Sequence, residues 1–540
     1  MSAPSTLSRT RPGQPGLTPR FLLAMAAIAG LVSALATLAA AEVISLLLGG
    51  VGEPILAVGS LIIDLVPPGF KTLVIDLFDT ADKLVLVVSL GLVVLILAVV
   101  AGWLQLRRPP LGVLVLGLVG VVALVAAITR ADATVLDAIP TVVGTLVGAA
   151  VLRDLGSRLA RWRDARAARS TAVVSAPGAG RPDAVQYERR SFIRLALILG
   201  VTSAVVGAGA RVMTAAASAV NDLRASLRLP VAAVPAAAIP AGTDLDIEGL
   251  SPFITPNTDF YRIDTALQVP SVDQRDWSLR ITGMVEQEVT IGWDELVALP
   301  LEEHIVTLAC VSNEVGGDLI GNALWLGYPI RELLKRARPT TGADMVLSRG
   351  VDGFSASTPI EVLQDENTDA LLAVGMNGEP LPLQHGFPVR MVVPGLYGYV
   401  SATKWVIELK VTTFADDLAY WSTRGWTELG PIKLSSRIDT PRNGVSAGTV
   451  AVAGVAWAQH TGISAVEVRV DDGAWQPATL AVEATVDAWV QWSYAWDATP
   501  GSHRITVRAT DADGLVQTAD EAPPAPDGST GLHTVTVNVG

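Results

Sequence analysis

Long apolar runs dominate the chain before about residue 220, and short alternating runs dominate the rest. Four of the long runs, at residues 21–48, 84–104, 111–129 and 135–152, approach or exceed the roughly 20 helical residues that cross a bilayer. After residue 245 the runs become strand-like and are separated by glycine and proline. The pattern predicts an α-helical transmembrane region, at residues 1–155, followed by soluble domains.

The arginines in this region set its predicted orientation. They cluster before the first run, between the second and third, and after the fourth, so the positive-inside rule puts both ends of the region in the cytoplasm. Residues 54–66 then lie in the first outer loop, as an interfacial or re-entrant piece or as a fifth span. The clusters are Arg9, Arg11 and Arg20; Arg107 and Arg108; and Arg153, Arg158, Arg161, Arg163, Arg166 and Arg169.

An arginine pair follows a segment, residues 156–188, that is predicted to be a cytoplasmic linker. Arg189 and Arg190 precede a spacer, Phe192 and Ile193, and the run that follows is rich in glycine and alanine. This resembles a twin-arginine export signal, predicting a signal or anchor helix at residues 189–220 and the twin-arginine translocase as a partner. An ordinary positive-inside flank is the alternative. Small residues at 217–219 could permit cleavage, so release from the membrane stays open.

The rest of the chain divides into a stalk and two domains. Residues 221–245 are rich in proline and alanine and are predicted to be the stalk. Residues 246–430 mix strand-like runs, at 277–281 and 389–393, with helical ones, at 293–298 and 330–337, which predicts an α+β domain. Residues 431–540 alternate at 465–470, 490–494 and 503–508, with a turn at 471–473. This pattern predicts an all-β, immunoglobulin-like sandwich.

Composition excludes several functions. The chain has 39 Lys and Arg against 52 Asp and Glu, a net charge of −13, and no basic stripe in its soluble part, so we expect no nucleic-acid partner. A single cysteine cannot form an intramolecular disulfide. None of the five histidines precedes residue 220, so the membrane region cannot bind haem through histidine pairs. We therefore expect no haem and a separate electron carrier.

Cys310 is the first candidate for chemistry. It ends a run rich in β-branched residues and is followed by small polar residues, which places it where a strand opens into a loop. A buried structural thiol is the alternative, because a free cysteine often behaves as a small apolar residue. The residues around it do not decide between the two.

Three segments, one of which begins with Cys310, connect the chain with a known family. Residues 376–405, which contain His385, Arg390 and Lys404, resemble the molybdopterin-binding region of the sulfite oxidase superfamily. Residues 310–317 resemble its metal-ligand loop, and residues 253–262 its entry motif. The resemblance runs from about Ser251 to the C-terminus. It implies a sulfite oxidase-type fold, a molybdenum–molybdopterin cofactor with Cys310 as metal ligand, and a C-terminal domain that commonly mediates dimerisation, so a homodimer is one option.

The chemistry of the residue types agrees with that cofactor. A soft thiolate suits molybdenum, Arg390 can fork onto a phosphate, Lys404 supplies a point charge, and His385 can bond in either tautomer. Any one of these side chains could instead be a loop residue satisfied by its neighbours. The cofactor contacts implied by the resemblance are Phe260, Tyr261, Arg262, Cys310, Asn313, His385, Arg390, Ser401, Thr403 and Lys404.

Two features bear on the substrate. The family typically follows the loop asparagine with a basic pair that helps to bind sulfite, whereas here Asn313 is followed by Glu314 and Val315, which puts sulfite in doubt. Tyr420 and Arg424, in a stretch rich in aromatic residues, are predicted to be catalytic-pocket residues, with domain-boundary packing as the alternative.

The sequence therefore predicts a membrane-anchored molybdopterin oxidoreductase that carries out oxygen-atom or two-electron transfer on a small molecule. Its soluble domains would lie outside the cytoplasmic membrane of a bacterium. The alternatives are a sulfoxide-type reductase acting on neutral substrates and a non-catalytic, membrane-tethered interaction module.

Overall fold

The structure is a computed structural model that describes residues 18–47, 57–59, 61–62, 82–129, 135–175, 182–210, 220–221, 223–266, 269–442 and 444–540. The chain forms two compact units, Met1–Ala215 and Ala216–Gly540. Most of the 54–66 segment, and the small residues at 217–219, lie outside the described residues.

The described residues of the first unit form five long helices. They are α1 (Pro19–Leu47), α2 (Asp82–Arg107), α3 (Leu111–Ile128), α4 (Val135–Ser175) and α5 (Pro182–Ala210). Within the described part, four stretches are long and apolar enough to cross a membrane: Pro19–Ser45, Val85–Arg107, Leu111–Ile128 and Leu136–Ala168. The four apolar helices predicted from the sequence are thus confirmed as helices, and their lengths are compatible with membrane anchoring.

Small residues let the first two helices touch. A Cβ atom added to Gly30 would lie 1.9 Å from the carbonyl oxygen of Ala98, and one added to Gly102 would lie 2.0 Å from that of Ala26. Such close backbone contact is how apolar helices associate where no hydrophobic force drives them together. Ser33 Oγ on α1 also donates to the carbonyl oxygen of Gly148 on α4, at 2.6 Å.

Helix α4 continues through most of the segment interpreted as a linker. Its buried side chains, Leu152, Leu155, Leu159 and Trp162, recur at intervals of three and four residues, which is helical spacing. This narrow stripe lies among so many arginines that the sequence interpretation missed its period. Trp162 packs on Phe192 of α5, with ring centroids 6.2 Å apart, so the segment is an ordered helix over residues 156–175.

The second unit begins with a domain built around two sheets. One has the strand order β2-β1-β10-β5-β6, and the other has the order β3-β4-β7-β8 with β9 also paired to β7. The predicted mixture of strands and short helices is present. The strands are β1 (Ser278–Gly283), β2 (Val289–Gly292), β3 (Glu302–Ala309), β4 (Ile320–Pro329), β5 (Met345–Gly350), β6 (Ser355–Pro359), β7 (Leu371–Met376), β8 (Glu379–Pro380), β9 (Arg390–Val392) and β10 (Val406–Thr412). The helices are α6 (Trp293–Val297), α7 (Ile330–Ala337), α8 (Ile360–Gln364) and α9 (Gly398–Ser401).

The C-terminal domain consists of two antiparallel four-stranded sheets. Their strand orders are β11-β12-β16-β15 and β14-β13-β17-β18, and buried residues from both sheets form one apolar core. This two-sheet architecture agrees with the predicted sandwich, while its immunoglobulin-like identity stays a prediction. The strands are β11 (Ser435–Thr440), β12 (Gly448–Trp457), β13 (Ile463–Val470), β14 (Gln476–Pro477), β15 (Thr479–Leu480), β16 (Val490–Ala498), β17 (Gly501–Asp511) and β18 (Thr534–Val539).

The two domains of this unit share apolar contacts. Val455, Trp457 and Trp489 of the C-terminal domain belong to the core cluster of the preceding domain. Trp489 also donates its indole N–H to the carbonyl oxygen of Phe253, at 3.0 Å. The domain boundary is therefore a packed interface.

The segment interpreted as a stalk lies against the first domain. The backbone N–H of Ala233 donates to Leu301 O at 2.7 Å, and Val234 forms a parallel bridge with Glu302, the first residue of β3. Arg224 Nη1 donates to Pro380 O at 2.8 Å. These contacts tie residues 224–234 to β8 and to the start of β3.

Candidate active site

A cleft in the second unit brings together segments far apart in sequence. It encloses about 860 Å³ of empty space, part of which is open to solvent. Cys310 and five other residues predicted for the site contribute to its walls. The lining residues are Phe260, Tyr261, Ile263, Asp264, Thr265, Cys310, Val311, Ser312, Asp352, Phe354, His385, Arg390, Gly398, Tyr399, Ala402, Lys404, Trp405, Trp421 and Trp426.

Cys310 follows directly after β3 and begins a closed loop. Its N–H donates to Leu319 O at 2.9 Å, and Asn313 Oδ1 accepts from Leu319 N–H at 2.9 Å, so both ends of the loop are fixed. Burial raises the pKa of the Cys310 thiol, while hydrogen bonds from Ser312 and the charge of Lys404 lower it. A metal cation would supply the further stabilisation that a thiolate needs here.

Arg390, at the start of β9, is a buried cation. Its side chain donates to Met391 O and His385 O, both at 3.2 Å, and its guanidinium lies 5.1 Å from the centroid of the Trp325 ring. Among the residues that the structure describes, no carboxylate forms an ion pair with it. Burial lowers the pKa of Arg390 to about 10. A desolvated cation of this kind is costly alone and suits an anionic ligand such as a phosphate.

His385 is held in its neutral form. Its Nε2 atom lies 3.1 Å from Asn257 O, and because a carbonyl only accepts, Nε2 carries the proton and Nδ1 is left as an acceptor. Burial, followed by the charges of Arg390 and Lys404, lowers the pKa of His385 to about 3. The ring meets the Phe260 ring edge to face, with centroids 5.6 Å apart.

Lys404 pairs with an acid that the sequence interpretation did not include. Its Nζ atom donates to Asp264 Oδ2 at 3.0 Å and to Gln384 O at 3.1 Å. The same Asp264 oxygen accepts from Arg262 Nε at 2.9 Å. Burial lowers the pKa of Lys404 to about 8, although Asp264 opposes that shift.

A second acid, Asp352, also lines the cleft. Its Oδ2 atom lies 3.5 Å from the Thr265 hydroxyl, and burial raises the pKa of its carboxyl. Asp264 and Asp352 come from segments separated by 88 positions (352 − 264). The only signal for Asp264 was an acid two residues after the predicted Arg262.

Four of the predicted cofactor contacts, Arg262, Asn313, Ser401 and Thr403, lie outside the cleft lining. Ser401 Oγ donates to Leu396 O and Tyr397 O, and Thr403 Oγ1 lies 2.6 Å from Ser348 Oγ, so both side chains hold backbone or strand positions. Asn313 closes the Cys310 loop. Arg262 touches the site through Asp264, with 38% of its side chain exposed. By contrast, Phe260 and Tyr261 line the cleft, and burial raises the pKa of Tyr261.

The stretch from Tyr420 to Trp426 forms an aromatic rim. Trp421 and Trp426 line the cleft, and their ring centroids are 5.9 Å apart. Tyr420 and Arg424 are not lining residues. The Arg424 guanidinium lies over the Tyr420 ring, 3.6 Å from its centroid. Glu314 is exposed and is not a lining residue either. The cations and the aromatic rings therefore give the cleft both charged and apolar surface.

Comparisons with known proteins identify a molybdopterin-binding domain in this part of the chain. A family model described as "Oxidoreductase molybdopterin binding domain" matches residues 266–421. Mitochondrial sulfite oxidase of Mus musculus is 30% identical over 275 residues, which cover 43% of this chain and 50% of that protein. NADH nitrate reductase 2 of Nicotiana tabacum is 31% identical over 194 residues, which cover 31% of this chain and 21% of that protein.

A solved structure, the sulfane dehydrogenase SoxCD from Paracoccus pantotrophus, shares 25% identity at a TM-score of 0.46, covering 53% of this chain and 83% of that one. The chain spans about half the length of the mammalian sulfite oxidases that it matches. The family match includes Cys310, His385, Arg390 and Lys404, four of the residues that line the cleft. Residues 266–421 thus form an oxidoreductase molybdopterin-binding domain similar to that of the sulfite oxidase-type superfamily.

Proposed function

We propose that the protein is a membrane-anchored molybdopterin oxidoreductase that carries out oxygen-atom or two-electron transfer on a small molecule outside the cytoplasmic membrane. The observation that supports this most directly is one cleft lined by the single cysteine and by two buried cations, Arg390 and Lys404. The thiolate suits molybdenum, and the cations suit the phosphate of the pterin.

In this proposal each side chain has a limited role. Arg390 and Lys404 would hold the anionic end of the cofactor, and Nδ1 of His385 would accept a hydrogen bond from it. Cys310 binds the metal. The bound molybdenum centre supplies the two-electron redox chemistry. Trp421 and Trp426 keep water from the part of the cleft that they cover.

Metal analysis tests the assignment. We expect the detergent-purified protein to contain about one molybdenum per chain, and Cys310→Ala to lose its turnover while the soluble unit remains folded. A wild-type protein without molybdenum would favour the non-catalytic interaction module. Unchanged turnover in Cys310→Ala would exclude Cys310 as the metal ligand.

A neutral substrate is the second candidate. Ile263, Phe354, Trp421 and Trp426 give the cleft an apolar surface, and the basic pair that would follow Asn313 in sulfite oxidases is absent. A sulfoxide-type reductase fits these two features. Reduction of the oxidised metal by sulfite would support sulfite oxidation, and reoxidation of the reduced metal by methyl phenyl sulfoxide would support sulfoxide reduction.

The proposed location depends on the helices and the arginine pair. The four apolar helices would anchor the chain in a bacterial cytoplasmic membrane, and Arg189 and Arg190 would direct the soluble unit outward through the twin-arginine translocase. Electrons would pass to or from a separate carrier. We expect Arg189→Lys with Arg190→Lys to leave the soluble unit in the cytoplasm. Protease added from outside should then no longer reach it, and unchanged digestion would contradict the export signal.

A further inference from the structure

Two chain segments carry most of the chemistry in the cleft. Strand β3 leads into Cys310, and residues 394–401 lead into Lys404. They belong to different parts of the first domain, and the geometry between them decides how a metal bound to Cys310 would meet a cofactor bound at Lys404.

Gln459 of the C-terminal domain joins these two segments. Its Nε2 atom donates to Thr307 O at 2.6 Å, and Thr307 lies in β3 three residues before Cys310. Its Oε1 atom accepts from Gly395 N–H at 3.0 Å. A further bond from Nε2 to Asp487 O, at 2.8 Å, anchors the amide in its own domain. One nearly buried side chain thus spans both segments.

Neighbouring groups of the same domain support this bridge. Trp489 N–H donates to Thr307 Oγ1 at 2.9 Å. The His460 ring, paired through Nδ1 with Asp487 at 3.0 Å, packs so closely on Gly395 that an added Cβ would lie 2.2 Å from Nε2. Gly395 has a φ of +78°, so a side chain there would be excluded by both space and conformation.

The Cys310 loop is held from the same domain. Arg437 Nη1 donates to Gly317 O at 2.8 Å, and its Nε is fixed by Asp439 Oδ1 at 2.6 Å. Ser529 Oγ donates to Asn313 O at 2.6 Å. The loop that begins with the cysteine is therefore bonded to the C-terminal domain at two carbonyl groups.

We propose that the C-terminal domain is a structural part of the metal site. In this proposal Gln459 is a positioning residue that holds strand β3, which leads into Cys310, together with residues 394–401, which lead into Lys404. This rests on the proposed function, because it assumes a metal bound at Cys310. Adhesion between the two domains in general is a different role, and Gln491 serves it. The Gln491 amide bonds Leu245 N–H at 2.6 Å, Asp244 Oδ1 at 2.8 Å and Ser251 O at 2.8 Å, outside both segments.

The test compares Gln459→Met with the matched control Gln491→Met in the full-length protein. Each variant loses three hydrogen bonds of a buried amide, so we expect similar losses in urea stability. Two further readouts report on the site: the electron paramagnetic resonance signal of the molybdenum after partial reduction with dithionite, and the alkylation rate of the single thiol by iodoacetamide in protein made without molybdenum.

We expect Gln459→Met to shift the resonance signal and to raise the alkylation rate about tenfold or more. Without the Gln459 bridge, β3 and residues 394–401 separate at a lower free-energy cost, so the thiol is exposed to the reagent more often. Gln491→Met should leave both readouts at wild-type values. Wild-type readouts in Gln459→Met, or equal changes in both variants, would overturn the positioning role. If Gln459→Met does not fold, Ser529→Ala removes one bond to the Cys310 loop and must shift the signal for the proposal to stand. A wild-type protein without molybdenum would instead refute the proposed function.

Discussion

Asp264 offers the sharpest test of the electrostatics of the cleft. Its carboxylate is 2% exposed and accepts from Lys404 Nζ at 3.0 Å, where an effective dielectric constant of 20 gives an attraction of about 5 kcal/mol before desolvation. Removing one partner of a buried pair typically costs about 3–5 kcal/mol. The pair with the more exposed Arg262 adds little. We therefore expect Asp264→Asn to lower the free energy of unfolding of the cofactor-free protein by about 3 kcal/mol.

The cofactor changes this expectation. If a phosphate of the cofactor lies near Lys404, its negative charge replaces part of the attraction that Asp264 exerted on the lysine. The loss of unfolding free energy in the cofactor-loaded Asp264→Asn variant should therefore be about half as large or less. Urea unfolding followed by tryptophan fluorescence measures the loss in the cofactor-free and in the cofactor-loaded protein. The signal reports mainly on the soluble unit, because only Trp103 and Trp162 of the 13 tryptophans precede residue 220.

Asp417→Asn is the matched control. Asp417 pairs with Lys410 Nζ at 2.7 Å outside the cleft lining, and both side chains are partly exposed, so its loss should be about 1 kcal/mol or less, with or without cofactor. If Asp264→Asn lowers the free energy of unfolding no more than this control does, the buried pair of Asp264 and Lys404 contributes little to stability. If its cost is the same in both forms of the protein, no anion of the cofactor lies near Lys404.

Three further predictions use the same unfolding assay on the cofactor-free protein. Because the pKa of His385 is about 3 in the fold against about 6.5 unfolded, the unfolded chain binds the extra proton between these values, and the wild type should lose up to about 5 kcal/mol on acidification from pH 6.5 to 3. His385→Gln should lack this part of the loss. If its stability falls between pH 6.5 and 3 as steeply as that of the wild type, a neutral His385 is contradicted. The pKa of Lys404, about 8 against about 10.4 unfolded, means that the unfolded chain holds more protons between pH 8 and 10.4, so stability should gain about 3 kcal/mol over that range. Lys404→Met should remove that gain, and a gain that persists would exclude Lys404 as its source. Arg390→Met should leave stability equal or higher, because it removes an unpaired buried cation, while molybdenum content measured on protein made with the cofactor falls; a large loss of stability with normal molybdenum content would contradict the assigned role.

The coarse fold could be predicted because its signals are local. The four apolar helices follow from run length alone, and short elements such as α7 and β13 follow from their periodicity. The continuation of α4 could not be read in the same way, since arginines surround its buried stripe at Leu155, Leu159 and Trp162. The contacts of residues 224–234 depend on two strands distant in sequence, β3 and β8, which no local pattern reveals.

The candidate site was predictable to the extent that motif residues converge. Cys310, His385, Arg390 and Lys404 line one cleft, and their contacts with a cofactor stay predictions. Ser401 and Thr403 belong to the same motif, but their hydroxyl groups bond the backbone and a neighbouring strand residue. A sequence does not distinguish a side chain that stabilises the backbone from one that faces a ligand. Asp264 and Asp352 were missed because the burial of an acid is a property of the assembled fold.

The segment that lies along β3 also has a protective role. Strand β3 ends its sheet, and an uncovered edge offers unpaired N–H and carbonyl groups to any other extended chain. Ala233 and Val234 occupy the start of that edge, and Pro230 and Pro235 on either side have no N–H with which to extend the pairing. A soluble version of the enzyme that begins at residue 246 would expose this edge and would tend to self-associate. A version that begins at residue 220 keeps it covered.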